Sequence, residues 1–364
     1  MTGDAHHLLP SAEPVTLIDC HGRPVASTAY AAPDAAALVR AFAALVTARR
    51  LNDQAYALVR QGRLAVYPSS HGQEACQVAA AQVLAEGDWL FPTYRDTIAA
   101  VNRGVDPVEA LSLLKGDWHC GYDPYEHHVA PHTTPLATQL PHAVGVAHAA
   151  RLRGEPTVVM ALCGDGGTSE GDFHEALNFA AVLRAPVVFL VQNNEYAISV
   201  PLARQTAAPS LAYKGIGYGV PGERVDGNDA AALLAVLGAA VERARAGGGP
   251  QLIEAHTYRM QAHTNADDAS RYRRDSEVAA WVERDPLTRL EAHLRKRDLL
   301  DDARLAELTA EAERVATHLR DGLNRDVTPD PAMLFDHVYA RPTPQLAEQA
   351  ALVADELERE GALR

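Results

Sequence analysis

Two short polar groups punctuate the apolar middle of this 364-residue chain in a way that could do chemistry. The run TVVMALC is followed by Gly164-Asp165-Gly166-Gly167, and PVVFLVQ is followed by Asn193-Asn194. Each apolar run has the near-continuous hydrophobicity of a parallel strand covered on both faces. The stretch between them, SEGDFHEALNFAAVLRA, has a helical pattern, so the whole from Thr157 to Val200 reads as one βαβ unit. In a right-handed βαβ unit both carboxyl strand ends lie on one sheet edge, which lets Asp165 and Asn194 approach one another. A carboxylate and an amide oxygen, completed by a backbone carbonyl, water and phosphate oxygens, make an octahedral site suited to Mg²⁺. The glycines allow a tight turn, and Ser169 and Asp172 have capping-box spacing, so the helix should start near Ser169 with its first amides free for a diphosphate.

The elements that position these residues can be read in order. Residues 1–33 form an N-terminal arm with one strand-like piece, Val15 to Ile18. Helical patterning runs from Pro33-Asp34 to Gln61, with Leu38, Phe42, Leu45, Leu51 and Leu58 recurring at helical intervals. A second helix follows, capped near Ser69-Ser70 and stopped by Gly87. Residues 88–96, DWLFPTYRD, lead into a third helix, and residues 116–132 form a loop rich in His, Gly and Pro whose length favours a functional role. TTPLATQLPHAVGVAHAARLRG supplies another helix before the βαβ unit. Beyond it come a strand at 223–225, a helix capped at Asn228 or Asp229, a strand at 251–258, a polar loop at 259–274, and amphipathic surface helices to about 326. The expected division is therefore an arm (1–33), a large domain (34–330) and a C-terminal tail helix at a subunit interface (331–364).

Composition bounds the partners. With 33 basic against 47 acidic side chains the net charge is −14, which disfavours nucleic acid and anionic membrane as partners. Four scattered cysteines without a C-x-x-C pair suggest a reduced, cytoplasmic protein, and neither a signal peptide nor a membrane span is evident. Gly217-x-Gly219-x-x-Gly222 is interrupted by Pro221 and lacks the strand-before-helix context of a dinucleotide fingerprint. His127, His128 and His132 lack a second clustered ligand set for zinc, and His174-Glu175 has no second histidine four positions on.

GDG followed at this interval by NN resembles the thiamine diphosphate fingerprint. PLATQLPHAVGVAHAA, SEGDFHEALNFAAV, NNEYAIS, RVDGND and YRMQAHTNADDASRYR extend the likeness from about residue 35 to the C-terminus. Together they resemble the α subunit of the decarboxylating first component of 2-oxo acid dehydrogenase complexes. That resemblance implies an α/β thiamine diphosphate-binding fold with a mainly parallel sheet covered by helices on both faces. It implies that Asp165, Asn194 and the Tyr196 carbonyl hold Mg²⁺, and that Gly166 and Gly167 meet the diphosphate. Tyr94, Arg95 and Gln192 would also face the cofactor, Gln192 standing where some relatives have Arg; Thr134 and Leu136 would lie near its rings. His263 matches the active-site histidine, in a loop ordered by Arg259, Asp267, Tyr272 and Arg273. Thr133, the Pro135 carbonyl, Thr138 and Gln139 match residues that surround K⁺ in some relatives.

The resemblance also implies partners. The glutamate that activates the cofactor belongs to a second domain type, so a β subunit is expected, in a heterotetramer of two α and two β chains. A lipoyl domain and the core acyltransferase would accept the acyl group from a small 2-oxo acid. Branched-chain substrates such as 3-methyl-2-oxobutanoate are favoured by PLATQ and the RVDGND-to-YR region, whereas GDGGTSEGDF also suits pyruvate enzymes. An acetoin-cleaving α subunit and a non-catalytic scaffold subunit are the alternatives.

Overall fold

Helix α1 (Ala35–Arg60) starts where the Asp34 carboxylate accepts the Ala37 N–H, and buries Leu38, Phe42, Leu45, Leu51 and Leu58 along one face. This is a computed structural model that describes residues 5–117, 120–326, 330–336 and 338–362; the extreme ends of the expected arm and tail, residues 1–4 and 363–364, lie outside it. Helix α2 (Glu74–Gln82) begins later than its expected Ser69-Ser70 cap. Both serine hydroxyls are committed to the buried Asn52 side chain, and Gly72, at φ 97°, turns the chain so that its N–H reaches the Glu74 carboxylate at 2.8 Å.

A three-residue strand missing from the sequence reading, β1 (Trp89–Phe91), comes next. It is followed by α3 (Thr97–Asn102), α4 (Pro107–Lys115), the short α5 (Pro124–His127) inside the His-rich loop, and α6 (Gln139–Arg153). The βαβ unit is then β2 (Val159–Gly164), α7 (Gly171–Leu183) and β3 (Val187–Asn193). The capping box is not formed. Ser169 closes a 3-10 turn at Gly166–Ser169, Glu170 takes the N-cap without a side-chain bond, and the Asp172 carboxylate instead accepts the Thr138 hydroxyl at 3.3 Å.

A small antiparallel hairpin, β4 (Tyr196–Ala197) and β5 (Val200–Pro201), projects past β3. Strand β6 (Gly222–Asp226) leads to α8 (Ala230–Arg243), whose N-cap is Asp229, and then to β7 (Gln251–His256). The helices α9 (Asp275–Val282), α10 (Pro286–Lys296) and α11 (Asp302–Leu323) complete a first unit spanning Met1–Leu323. Residues Asn324–Arg364 group separately and contain α12 (Pro344–Ala362).

The sheet order is β1-β2-β3-β7-β6, all parallel. Alternation along β2 shows how it is covered: Met160 and Leu162 pack with α1, α2 and α8, while Val159, Ala161 and Cys163 pack with α6 and α7. The arm is fastened to the opposite edge. Val15 exchanges backbone bonds with Arg224 and Asp226 around β6, and the Leu17 and Ile18 N–H groups each donate to Asp229 at 2.7 Å. Among the described residues no helix is long and apolar enough to cross a membrane.

Candidate functional site

Parallel register brings the strand ends together: Gly164 pairs with Gln192, and Asn193 with His256. Asp165 and Asn194, each one residue beyond, therefore meet at the carboxyl edge. Asp165 is 1% exposed, and burial is the main influence raising its carboxyl above the usual range. One of its oxygens accepts the Gln205 amide at 2.6 Å. The other lies 3.3 Å from the Asn194 side-chain oxygen, which is also 3.2 Å from the Tyr196 carbonyl oxygen.

Three acceptor oxygens thus converge in a buried corner with no proton between them, although Arg259 Nη1 donates to the Tyr196 carbonyl at 3.2 Å and the Tyr196 N–H to the Asn194 oxygen at 3.5 Å. A cation among the three would relieve their remaining repulsion, and hard divalent cations favour oxygen donors of these kinds. Among the described residues no cluster of three or more His, Cys, Asp or Glu could hold a metal, so a divalent site here draws on amide and carbonyl oxygens. The donor set fits Mg²⁺.

The corner opens into a cavity of about 220 Å³ lined also by Gln73, Tyr94, Arg95, Gly166, Gly167 and His263. That volume is below the roughly 300–1,000 Å³ of pockets that enclose a drug-sized ligand. Backbone approaches closely here: a Cβ on Gly166 would lie 2.7 Å from the Ala197 Cβ. Arg95, at the turn between β1 and α3, is 6% exposed and donates to the Ser69 carbonyl at 2.9 Å, with its guanidinium 5.5 Å from the Tyr94 ring centre.

His263 joins the site through two arginines. Arg95 Nη2 lies 3.1 Å, and Arg259 Nη1 3.2 Å, from its Nδ1. Guanidinium groups can only donate, so Nδ1 is the acceptor and the neutral ring carries its proton on Nε2. Burial first, then the Arg95 and Arg259 charges, pull its pKa down to about 4. His263 is therefore a neutral N–H donor at neutral pH. The loop carrying it is pinned by its own residues: the His263 N–H donates to Asp267 at 2.8 Å, Tyr272 donates to the same carboxylate, and Arg273 donates to the Arg259 and Met260 carbonyls.

Other expected residues fall differently. Leu136 lies on the cavity rim, 42% exposed, while Thr134 is exposed and outside the lining. Gln192 lines the cavity, but its amide is committed: Nε2 donates to Asp96 at 2.7 Å and Oε1 accepts from Gln73 at 3.1 Å. Gln139 Nε2 donates to the Leu162 carbonyl at 2.6 Å, leaving its buried Oε1 unpartnered near Thr138. His174 bonds the Tyr218 hydroxyl at 2.8 Å, outside the site. Gln73, Asp96 and Gln205 were not anticipated. The position of Asp96 directly after Tyr94-Arg95 was the available hint.

Comparison with known sequences places the chain among related proteins. The dehydrogenase E1 component family matches residues 43–321. The chain is 46% identical over 348 residues, covering 95% of both chains, to the 3-methyl-2-oxobutanoate dehydrogenase subunit alpha of Mycobacterium tuberculosis (strain ATCC 25618 / H37Rv). It is 40% identical over 277 residues to the pyruvate dehydrogenase E1 component subunit alpha of Staphylococcus aureus (strain Mu50 / ATCC 700699), covering 76% of this chain and 75% of that one.

Proposed function

The chain belongs to the dehydrogenase E1 component family, and on that premise we propose that it is the α subunit of a thiamine diphosphate-dependent 2-oxo acid dehydrogenase acting on a branched-chain substrate such as 3-methyl-2-oxobutanoate. The observation that carries the reading is the convergence of Asp165, Asn194 and the Tyr196 carbonyl beside a glycine turn and Arg95. The broader match to the 3-methyl-2-oxobutanoate enzyme, 95% of the chain against 76% for the pyruvate enzyme, favours the branched-chain substrate.

Thiamine diphosphate, when bound, supplies a nucleophilic carbon and an electron sink for decarboxylation. Asp165, Asn194 and the Tyr196 carbonyl would hold Mg²⁺, and the Gly166 and Gly167 amides with Arg95 would receive the diphosphate. Tyr94 would flank the same group, and Leu136 with Thr134 would border its rings. His263 presents its Nε2–H to reacting groups without bringing a charge, which suits a donor in acyl transfer to a lipoyl group. Gln192 contributes indirectly, through Asp96 and Gln73. Gln139 Oε1, with Thr133, Thr138 and the Pro135 carbonyl, is a candidate K⁺ donor set.

Among the described residues the strands form one five-stranded parallel sheet and the small β4–β5 hairpin, with no second large sheet. The glutamate that activates the cofactor is thus assigned to a β subunit, in an α₂β₂ assembly that passes its acyl group to the lipoyl domain of an acyltransferase core, in the cytoplasm. The test is product formation by the α chain with and without its β partner, on 3-methyl-2-oxobutanoate and on pyruvate. Turnover should require the partner and favour the branched substrate. Robust turnover by the α chain alone would refute the division of labour, and a preference for pyruvate would reassign the substrate.

A further inference from the structure

Four side chains from four separate places in the sequence form a buried relay behind the metal corner. Gln192 Nε2 donates to Asp96 at 2.7 Å, Gln73 Nε2 donates to Gln192 Oε1 at 3.1 Å, and Asn194 Nδ2 donates to Gln73 Oε1 at 3.0 Å. All four residues are at most 5% exposed and border the cavity, so each amide or carboxyl group depends mainly on its neighbour in the relay for a partner. We propose that Asp96 is a positioning residue which, through Gln192 and Gln73, fixes the Asn194 amide with its oxygen toward Asp165 and the Tyr196 carbonyl. This rests on the reading of that corner as the metal site.

The argument follows from what each group can do. Burial raises the Asp96 carboxyl, but the donors on both its oxygens, Gln192 on one and the Thr93 N–H and hydroxyl on the other, oppose that and favour the carboxylate. A carboxylate has no proton to give, so Gln192 must present its N–H₂ to Asp96 and its oxygen to Gln73. Gln73 must then donate to Gln192 and accept from Asn194. Asn194 is left with its N–H₂ on Gln73 and its oxygen facing the Asp165 and Tyr196 oxygens, where its one donor is the Tyr196 N–H at 3.5 Å. Reversing Asn194 alone would satisfy those two acceptors, but it would set its oxygen 3.0 Å from Gln73 Oε1. Relieving that clash means reversing Gln73 and then Gln192, until an oxygen faces Asp96. The unfavourable meeting of three oxygens is thereby held in place in a form ready for a cation.

Asp96→Asn tests the direction of the relay with almost no change of shape. Asp96 Oδ2 accepts the Thr93 backbone N–H at 2.8 Å and the Thr93 hydroxyl at 2.7 Å. An asparagine must keep its oxygen on that N–H and so present N–H₂ to Gln192. Gln192, Gln73 and Asn194 then all reverse, and Asn194 closes the corner by donating to Asp165 and Tyr196. On the full chain assembled with its β partner, Mn²⁺ binding in the presence of thiamine diphosphate, read from the free-ion paramagnetic resonance signal, should weaken about tenfold or more. The melting temperature of the metal-free variant should equal or exceed that of the parent, which a merely structural role for Asp96 would not produce.

Two further variants separate orientation from charge. Asn194→Asp in the Asp96→Asn background should restore Mn²⁺ binding, because a carboxylate presents oxygen whichever way the relay runs. Gln73→Leu cuts the relay and should itself weaken binding, and in its background Asp96→Asn should have no further effect. A purely electrostatic contribution from Asp96 would persist there and overturn the proposal. So would Mn²⁺ affinity within about twofold of the parent in Asp96→Asn, well short of the ~10-fold minimum expected for a lost positioning partner. A parent complex that shows no metal-dependent cofactor binding would refute the metal-site reading, and the relay's role with it; that failure appears in the parent, whereas the relay's own failure appears only in the variants.

Discussion

Gly166→Ala puts the narrowest part of the site under a measurable load. A Cβ built at Gly166 lies 2.7 Å from the Ala197 Cβ and 3.5 Å from the Ala197 Cα. Unstrained carbon pairs sit at about 3.5–4.0 Å, so the β4–β5 hairpin must retreat by roughly 1 Å. Ala197 follows Tyr196, whose carbonyl oxygen lies 3.2 Å from the Asn194 side-chain oxygen, so the retreat moves an expected metal ligand. Overpacking of this kind costs about 1–3 kcal/mol. Charged to the bound state at about 1.4 kcal/mol per tenfold, it weakens cofactor binding roughly 5- to 150-fold. Calorimetric titration of the α/β complex with thiamine diphosphate at saturating Mg²⁺ reads this directly. The structure also names the cure: in Gly166→Ala/Ala197→Gly the nearest contact left is the 3.5 Å one to the Ala197 Cα, and binding should recover apart from about 0.5–1 kcal/mol of added backbone freedom. Parental binding in the single variant, or no recovery in the double, would refute the close-approach argument.

Other perturbations have equally definite outcomes. Asp165→Ala should abolish Mg²⁺-dependent cofactor binding while circular dichroism stays native, and retained metal dependence would remove Asp165 from the ligand set. His263→Ala should slow reductive acylation of a lipoyl domain by about 10²- to 10⁴-fold, and an unchanged rate would discard its donor role. Asp229 accepts Leu17, Ile18, Ala231 and Ala232 N–H groups and lies 3.5 Å from the buried Arg289, so Asp229→Ala should destabilise the chain by about 3–5 kcal/mol in thermal or urea unfolding. Burial lowers the His132 pKa from 6.5 to about 4, so the unfolded chain takes up that proton first as the pH falls. Stability should therefore decline as pH drops from about 6.5 toward 4, and His132→Asn should flatten the decline in melting temperature.

The βαβ unit was legible because hydrophobic runs of strand length and a helical period leave few other readings of residues 157–200. Both oxygen-bearing strand ends followed from the handedness of the crossover. Local capping was read less well. Ser169 and Asp172 have the spacing of a box, but the 3-10 turn spends Ser169 before the helix begins, and Ser69 and Ser70 are drawn away by Asn52, a partner on another helix. Strand β1 is too short to show a period. Gln73 and Asp96 were hidden for a different reason. Their part in the site lies in which end of an amide faces which neighbour, a property of four chain segments meeting, and spacing along the sequence carries no trace of it. Gln192 was visible as a site residue, but its commitment to Asp96 was not.

The cavity lining carries both signs: Arg95 and Arg259 on one hand, Asp96, Asp165 and Glu170 on the other. A pocket of mixed sign discriminates against lone ions, since a cation meets the guanidinium groups and an anion meets the carboxylates, each without its counterpart. A cation and anion arriving as a pair neutralise both. Binding of each must therefore strengthen binding of the other, and thermodynamic reciprocity requires the two enhancements to be equal. On the proposed reading, the factor by which Mg²⁺ would tighten the diphosphate and the factor by which the diphosphate would tighten Mg²⁺ are one number, to which the direct attraction of the pair and the charges of this lining both contribute.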